Sequence, residues 1–107
     1  MNIASAYENG KLTLYLQGEL DHHSARTAMR AIEQELEQSL ARECVLDMSG
    51  LSFMDSSGIA LILKAHKLTA AQGGKVWIEH PSRQALRVME TSGIERIVPI
   101  AQETGKE

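Results

Sequence analysis

Asn9-Gly10, set between two strand-like runs, narrows the possible folds more than any other feature of this sequence. A two-residue type I′ turn needs positive φ at both central positions, and Asn-Gly tolerates that best, so a β-hairpin is expected here. Beyond the turn, Leu12, Leu14 and Leu16 alternate with Thr13, Tyr15 and Gln17. That period of two gives the strand one inward face and one wetter face. Gly18 is expected to end the strand.

The period then changes. From about His22 to Arg42 the apolar residues Ala25, Met29, Ile32, Leu36 and Leu40 recur every three or four positions, with Arg26, Arg30, Glu33 and Glu37 off the stripe. This is an amphipathic helix, and Asp21 or Ser24 can accept from the free amides at its start. Cys44-Val45-Leu46-Asp47-Met48, bounded by Ser49-Gly50, reads as a buried strand. Helix formers run without a breaker from Ser57 to Gln72, and Gly73-Gly74 supplies left-handed angles after them. Lys75 to Glu79 is the next strand. Pro81 opens a helix that turns Ala85, Leu86 and Met89 inward and stops at Gly93. A short extended piece over Ile97 to Ile100 follows, and Ala101 to Glu107 is expected as a polar, frayed tail. The order β-β-α-β-α-β-α-β implies an α/β fold, a mixed sheet packed with helices.

The chain has 107 residues, of which 43% are hydrophobic and 23% charged. That suits a single globular domain with an ordinary core. Fourteen acidic against 11 basic residues give a net charge of −3, and no Lys/Arg block supplies a footprint for nucleic acid or an anionic membrane. No segment approaches the ~20 apolar residues of a membrane span, and no secretory leader opens the sequence, so a cytoplasmic protein is expected. The single cysteine, Cys44, lies in an apolar run and reads as a core thiol.

Three constellations are candidates for chemistry. Asp21, His22 and His23 are adjacent potential ligands, but consecutive residues rarely converge on one ion, and no HExxH or paired-cysteine spacing accompanies them. No metal or cofactor is expected. Ser56 and Ser57 near Gly58 suggest a nucleophile, yet the GxSxG elbow is absent and a base would have to come from His66 or His80. No P-loop pattern is present either, so nucleotide binding by this chain is not expected. The third is the segment Leu51-Ser52-Phe53-Met54-Asp55-Ser56-Ser57-Gly58, read as a loop whose hydroxyls end at a helix N-terminus, where free amides and the positive dipole end favour an anion. An ordinary N-cap by Asp55, Ser56 or Ser57 and a phosphorylation site are both compatible with it.

The string Leu51-Ser52-Phe53-Met54-Asp55-Ser56-Ser57-Gly58-Ile59 closely resembles the signature of STAS-domain anti-sigma factor antagonists. Gly18-Glu19-Leu20-Asp21-His22-His23 is similar to their upstream motif, and Gly73-Gly74 and Met89-Glu90-Thr91-Ser92-Gly93-Ile94 resemble family features in the same order. The similarity spans about residues 3 to 100. It implies a non-catalytic regulator that, when unphosphorylated, binds an anti-sigma factor that is also a serine kinase and so frees a sigma factor, as in sporulation control. It further implies phosphorylation at Ser56, reversal by a PP2C-type phosphatase, and partner contacts at Asp21, Met54, Asp55, Ser57 and Gly58. Asp21 either meets a basic partner residue or simply caps its helix; for Ile59, core packing is expected. Ile59-Ala60 stands where the family often has Leu-Gly, and relatives commonly continue into a C-terminal helix for which little sequence remains after Ile100. The alternative within the same fold is a STAS module of a stress-signalling or lipid-transport assembly without sigma regulation; the alternative outside it is a serine hydrolase.

Overall fold

The computed structural model describes residues 1–101. Strands β1 (Asn2–Glu8) and β2 (Lys11–Leu20) form the hairpin, followed by α1 (His22–Ser39), β3 (Glu43–Met54), α2 (Ser56–Ala71), β4 (Lys75–Glu79), α3 (Arg83–Ser92), a 3₁₀ turn (Ile94–Arg96) and β5 (Ile100–Ala101). Asn9 and Gly10 have φ of 53° and 82°, as a type I′ turn requires. The sheet order is β1-β2-β3-β4-β5, antiparallel between β1 and β2 and parallel elsewhere.

This order places the helices. Successive parallel strands advance in one direction across the sheet, and each strand-helix-strand crossover is right-handed as a rule, so the crossover helices fall on the same face. There Leu12, Leu14, Leu16, Leu46, Met48 and Ile78 are buried beneath Ile32 and Leu36 of α1, Leu61, Ile62 and Ala65 of α2, and Ala85 and Met89 of α3. Each fully buried Leu or Ile is worth about 1.5–3 kcal/mol, so this interface holds the helices in place more than their intrinsic propensity does. The opposite face carries Lys11, Thr13, Tyr15, Glu43, Lys75 and Trp77, partly or fully exposed. The Lys11 ammonium lies 6.0 Å from the Trp77 ring centre.

Several boundaries differ from the sequence reading. Gly18 does not end β2: it has φ of 104° and stays paired with Leu51 while the strand continues to Leu20. Nor do Ser49 and Gly50 end β3. Register shifts after Tyr15 and after Gly18 admit extra residues on the β3 side, so the strand stays paired with β2 as far as Met54. Helix α1 stops at Ser39, because Leu40 turns left-handed (φ 51°) and points outward at 66% exposure, while Ala28, outside the expected stripe, is buried. Ser82, not Pro81, caps α3, accepting from the Ala85 amide. Over the expected extended piece Ile97–Ile100, Ile97 instead follows a 3₁₀ turn and only Ile100 is in a strand. Ala101, expected to open the tail, pairs with Glu79 in β5; the rest of that expected tail, 102–107, lies outside the described residues.

Candidate functional site

Because β2 and β3 are parallel neighbours, their C-terminal ends lie at one edge of the sheet, and the helices that follow them both start there. The two segments singled out in the sequence therefore meet. The Asp55 amide donates to the Leu20 carbonyl at 3.1 Å, and the Ser52 hydroxyl donates to the Gly18 carbonyl at 3.1 Å.

Each helix start is capped by the aspartate before it. Asp21 Oδ1 accepts from the His23 and Ser24 amides, both at 3.0 Å, while the Ser24 hydroxyl accepts from the Asp21 amide at 3.1 Å, a reciprocal box. These bonds, the Ser24 amide foremost, hold the Asp21 carboxyl below its ordinary range. Asp21 thus caps α1, and the rings of its neighbours His22 and His23 lie with centres 4.1 Å apart at a tilt of 36°. Asp55 accepts from the Ser57 amide at 2.8 Å. Ser56 is the first residue of α2 and is exposed; Ser57 is half-buried.

Two of the residues expected to contact a partner are buried. Met54 is fully buried, and Gly58, on the first turn of α2, is buried above it. A Cβ on Gly58 would collide with Met54 Cγ and Sδ and approach Leu20 Cδ2 to 3.1 Å. The lack of a side chain at Gly58 lets the start of α2 sit tightly on Met54 and Leu20, at the ends of β3 and β2. The segment expected as a loop is mostly regular structure: Leu51–Met54 belong to β3, Ser56–Gly58 to α2, and Asp55 alone joins them. Ser56 is therefore presented from a rigid junction.

Three residues of this surface are not marked by the sequence reasoning. Phe53 is 39% exposed at the end of β3. Gln84 of α3 grips the backbone of Met54 from both sides, its Oε1 accepting from the amide at 2.9 Å and its Nε2 donating to the carbonyl at 2.7 Å. Arg87, one turn further along α3, borders a mainly apolar groove of ≈ 430 Å³ together with Ser56, Ile59, Gln84, Val88 and Thr91. An exposed glutamine in a helix has no sequence signature for a backbone contact thirty residues away, so only the folded geometry reveals it.

His66 is half-buried in the middle of α2 and His80 is exposed at the end of β4, with left-handed backbone (φ 58°). Asp47, Glu79 and His80 bring three potential ligand atoms within 4.8 Å. The two carboxylates already have structural bonds: Asp47 Oδ1 accepts from the Ser49 amide and hydroxyl, and Glu79 Oε2 from Trp77 Nε1. Among the described residues, no helix is long and apolar enough to cross a membrane.

The chain is similar to known proteins in sequence and fold. The STAS domain family pattern matches residues 3–106. The anti-sigma F factor antagonist of Paenibacillus polymyxa is 31% identical over 100 residues, covering 94% of this chain and 86% of the relative. The solved structure of the anti-sigma factor antagonist SpoIIAA in its unphosphorylated form superposes with a TM-score of 0.79 at 27% identity, over 97% of this chain and 91% of that one. The Bacillus cell fate determinant SpoIIAA in the phosphorylated form superposes with a TM-score of 0.70, also at 27% identity, over 97% and 95%.

Proposed function

The chain belongs to the STAS-domain family, and we propose that within it this protein is an anti-sigma factor antagonist switched at Ser56. In the unphosphorylated state it binds an anti-sigma factor that is also a serine kinase, and so releases a sigma factor. The kinase transfers the γ-phosphoryl group of ATP to Ser56: the Oγ–P bond forms, the bond to the β-phosphate oxygen breaks, the hydroxyl proton is lost and ADP leaves. A PP2C-type phosphatase hydrolyses the phosphoserine and resets the cycle. The chain itself contributes a surface and an acceptor, not turnover.

The observation that carries this reading is the exposure of Ser56 at the first position of α2, directly after a capping aspartate and on a tightly packed junction. A phosphate there adds about −1.5 to −2 charges at neutral pH beside Asp55 and at the edge that also carries Asp21. Phe53, Ser57 and the free oxygen of Asp55 complete the contact surface around it. Because the junction is rigid, added charge and bulk end the contact without refolding; a global change in the amide NMR spectrum on phosphorylation would contradict this.

The test is incubation with a candidate anti-sigma kinase and ATP, followed by mass spectrometry of wild type, Ser56→Ala and Ser57→Ala. Phosphate on Ser56, lost only in Ser56→Ala, is the expected result; phosphate on no residue with any sigma-linked kinase overturns the switch. Binding is read in parallel: Ser56→Ala should retain the kinase after ATP is added, whereas Ser56→Glu should bind it weakly from the start.

A further inference from the structure

The groove between α2 and α3 opens beside Ser56, and among the residues that border it Arg87 is the one with a charge. Arg87 is exposed, and neither ion pair among the described residues, Lys64 with Glu33 and His80 with Glu79, includes it. The Gln84 clamp fixes the distance between the two elements by tying α3 to the backbone of Met54, two residues before Ser56. Arg87 follows Gln84 by three positions and so lies on the same side of α3. Arg87, in neither of those two ion pairs, thus borders the same groove as the hydroxyl that the switch modifies.

We infer that Arg87 is the phosphate-binding residue of the phosphorylated state, engaging the phosphate on Ser56 of its own chain from across the groove. The inference rests on the reading of Ser56 as the modified residue. The chemistry fits: a guanidinium presents a planar fork of donors that matches phosphate oxygens in paired, charge-assisted hydrogen bonds. The nearby carboxylates, Asp55 and Asp21, oppose the added charge, and Arg87 offsets them. Phosphorylation then does two things at once. It places charge on the partner-facing edge, and it ties the start of α2 to α3 at a second point beside the Gln84 clamp, drawing Arg87 out of the groove's open surface.

The experiment uses full-length protein with phosphoserine installed at position 56 during translation, so no kinase is involved. The phosphate is titrated by ³¹P NMR in wild type, Arg87→Gln and Arg87→Lys backgrounds. A neighbouring cation favours the dianion, so the wild-type phosphate should titrate lower than in Arg87→Gln, by about 1 pH unit. Arg87→Lys, which keeps a charge without the fork, should fall between them. Phosphorylated wild type should also melt higher than phosphorylated Arg87→Gln, while the unphosphorylated pair melt alike. Identical titrations in wild type and Arg87→Gln would overturn the inference and leave the kinase assay untouched. Failure of every kinase to modify Ser56 would count against the switch and leave this titration interpretable.

Discussion

Replacing Gln84 tests how the presenting edge is built. In Gln84→Ala both hydrogen bonds to the Met54 backbone are lost, at 2.9 and 2.7 Å. Net contributions near 1 kcal/mol per bond put the loss at about 2 kcal/mol, reduced toward about 1 because Gln84 is exposed and water can reach the freed groups. With a urea m-value of about 2 kcal/mol/M for a small domain, the denaturation midpoint should fall by roughly 0.5–1 M with unchanged slope. Gln84→Glu separates the clamp from simple truncation. Its carboxylate keeps an acceptor for the Met54 amide but turns a second oxygen toward the Met54 carbonyl. At pH 7 it should therefore be less stable than Gln84→Ala. A neutral carboxyl restores the donor, so the folded state raises this group's pKa above the ordinary ~4.3. The variant's stability relative to wild type is then greatest below about pH 4 and is lost as pH rises through the raised value. If Gln84→Ala and Gln84→Glu match wild type at pH 7, the clamp does not hold the edge and the positioning argument fails.

Two further perturbations probe the scaffold. Burial pushes the Cys44 thiol up to about 12, so folded protein should resist alkylation at pH 8 and react only once denatured; the same shift makes Cys44 stabilising below about pH 9, with that contribution lost as pH rises toward 12. Gly73 and Gly74 should differ sharply: a Cβ on Gly74 would press on the Arg42 backbone at 2.5 Å from its oxygen, whereas one on Gly73 meets open space and only the cost of φ at +78°. Gly74→Ala should thus cost about 1–3 kcal/mol or more and Gly73→Ala about 1 kcal/mol, as urea denaturation would show.

What the sequence determined by itself was local or periodic. Asn9-Gly10 specifies its turn because few other residues accept two positive φ angles. The stripes of α1 and the alternation of β2 specify elements because a period of 3.6 or 2 leaves an apolar face that must be covered. Asp21 and Asp55 as caps were also within reach, since each bonds amides only two or three residues away. What the tertiary structure decided involves partners distant in the chain. Ser49 and Gly50 read as a strand end, yet the register shifts between β2 and β3 absorb the extra residues, and pairing with a neighbouring strand outweighs local turn preference. Met54 reads as an apolar contact, yet the absence of a side chain on Gly58 lets α2 settle over it. Gln84 and Arg87 carry no local signal; Gln84 bonds the end of β3 and Arg87 borders the groove beside Ser56 because the parallel order of β3 and β4 brings α3 back to the edge where α2 begins. The motif identified the residue to watch; the sheet order and the close packing at its edge determined what surrounds it.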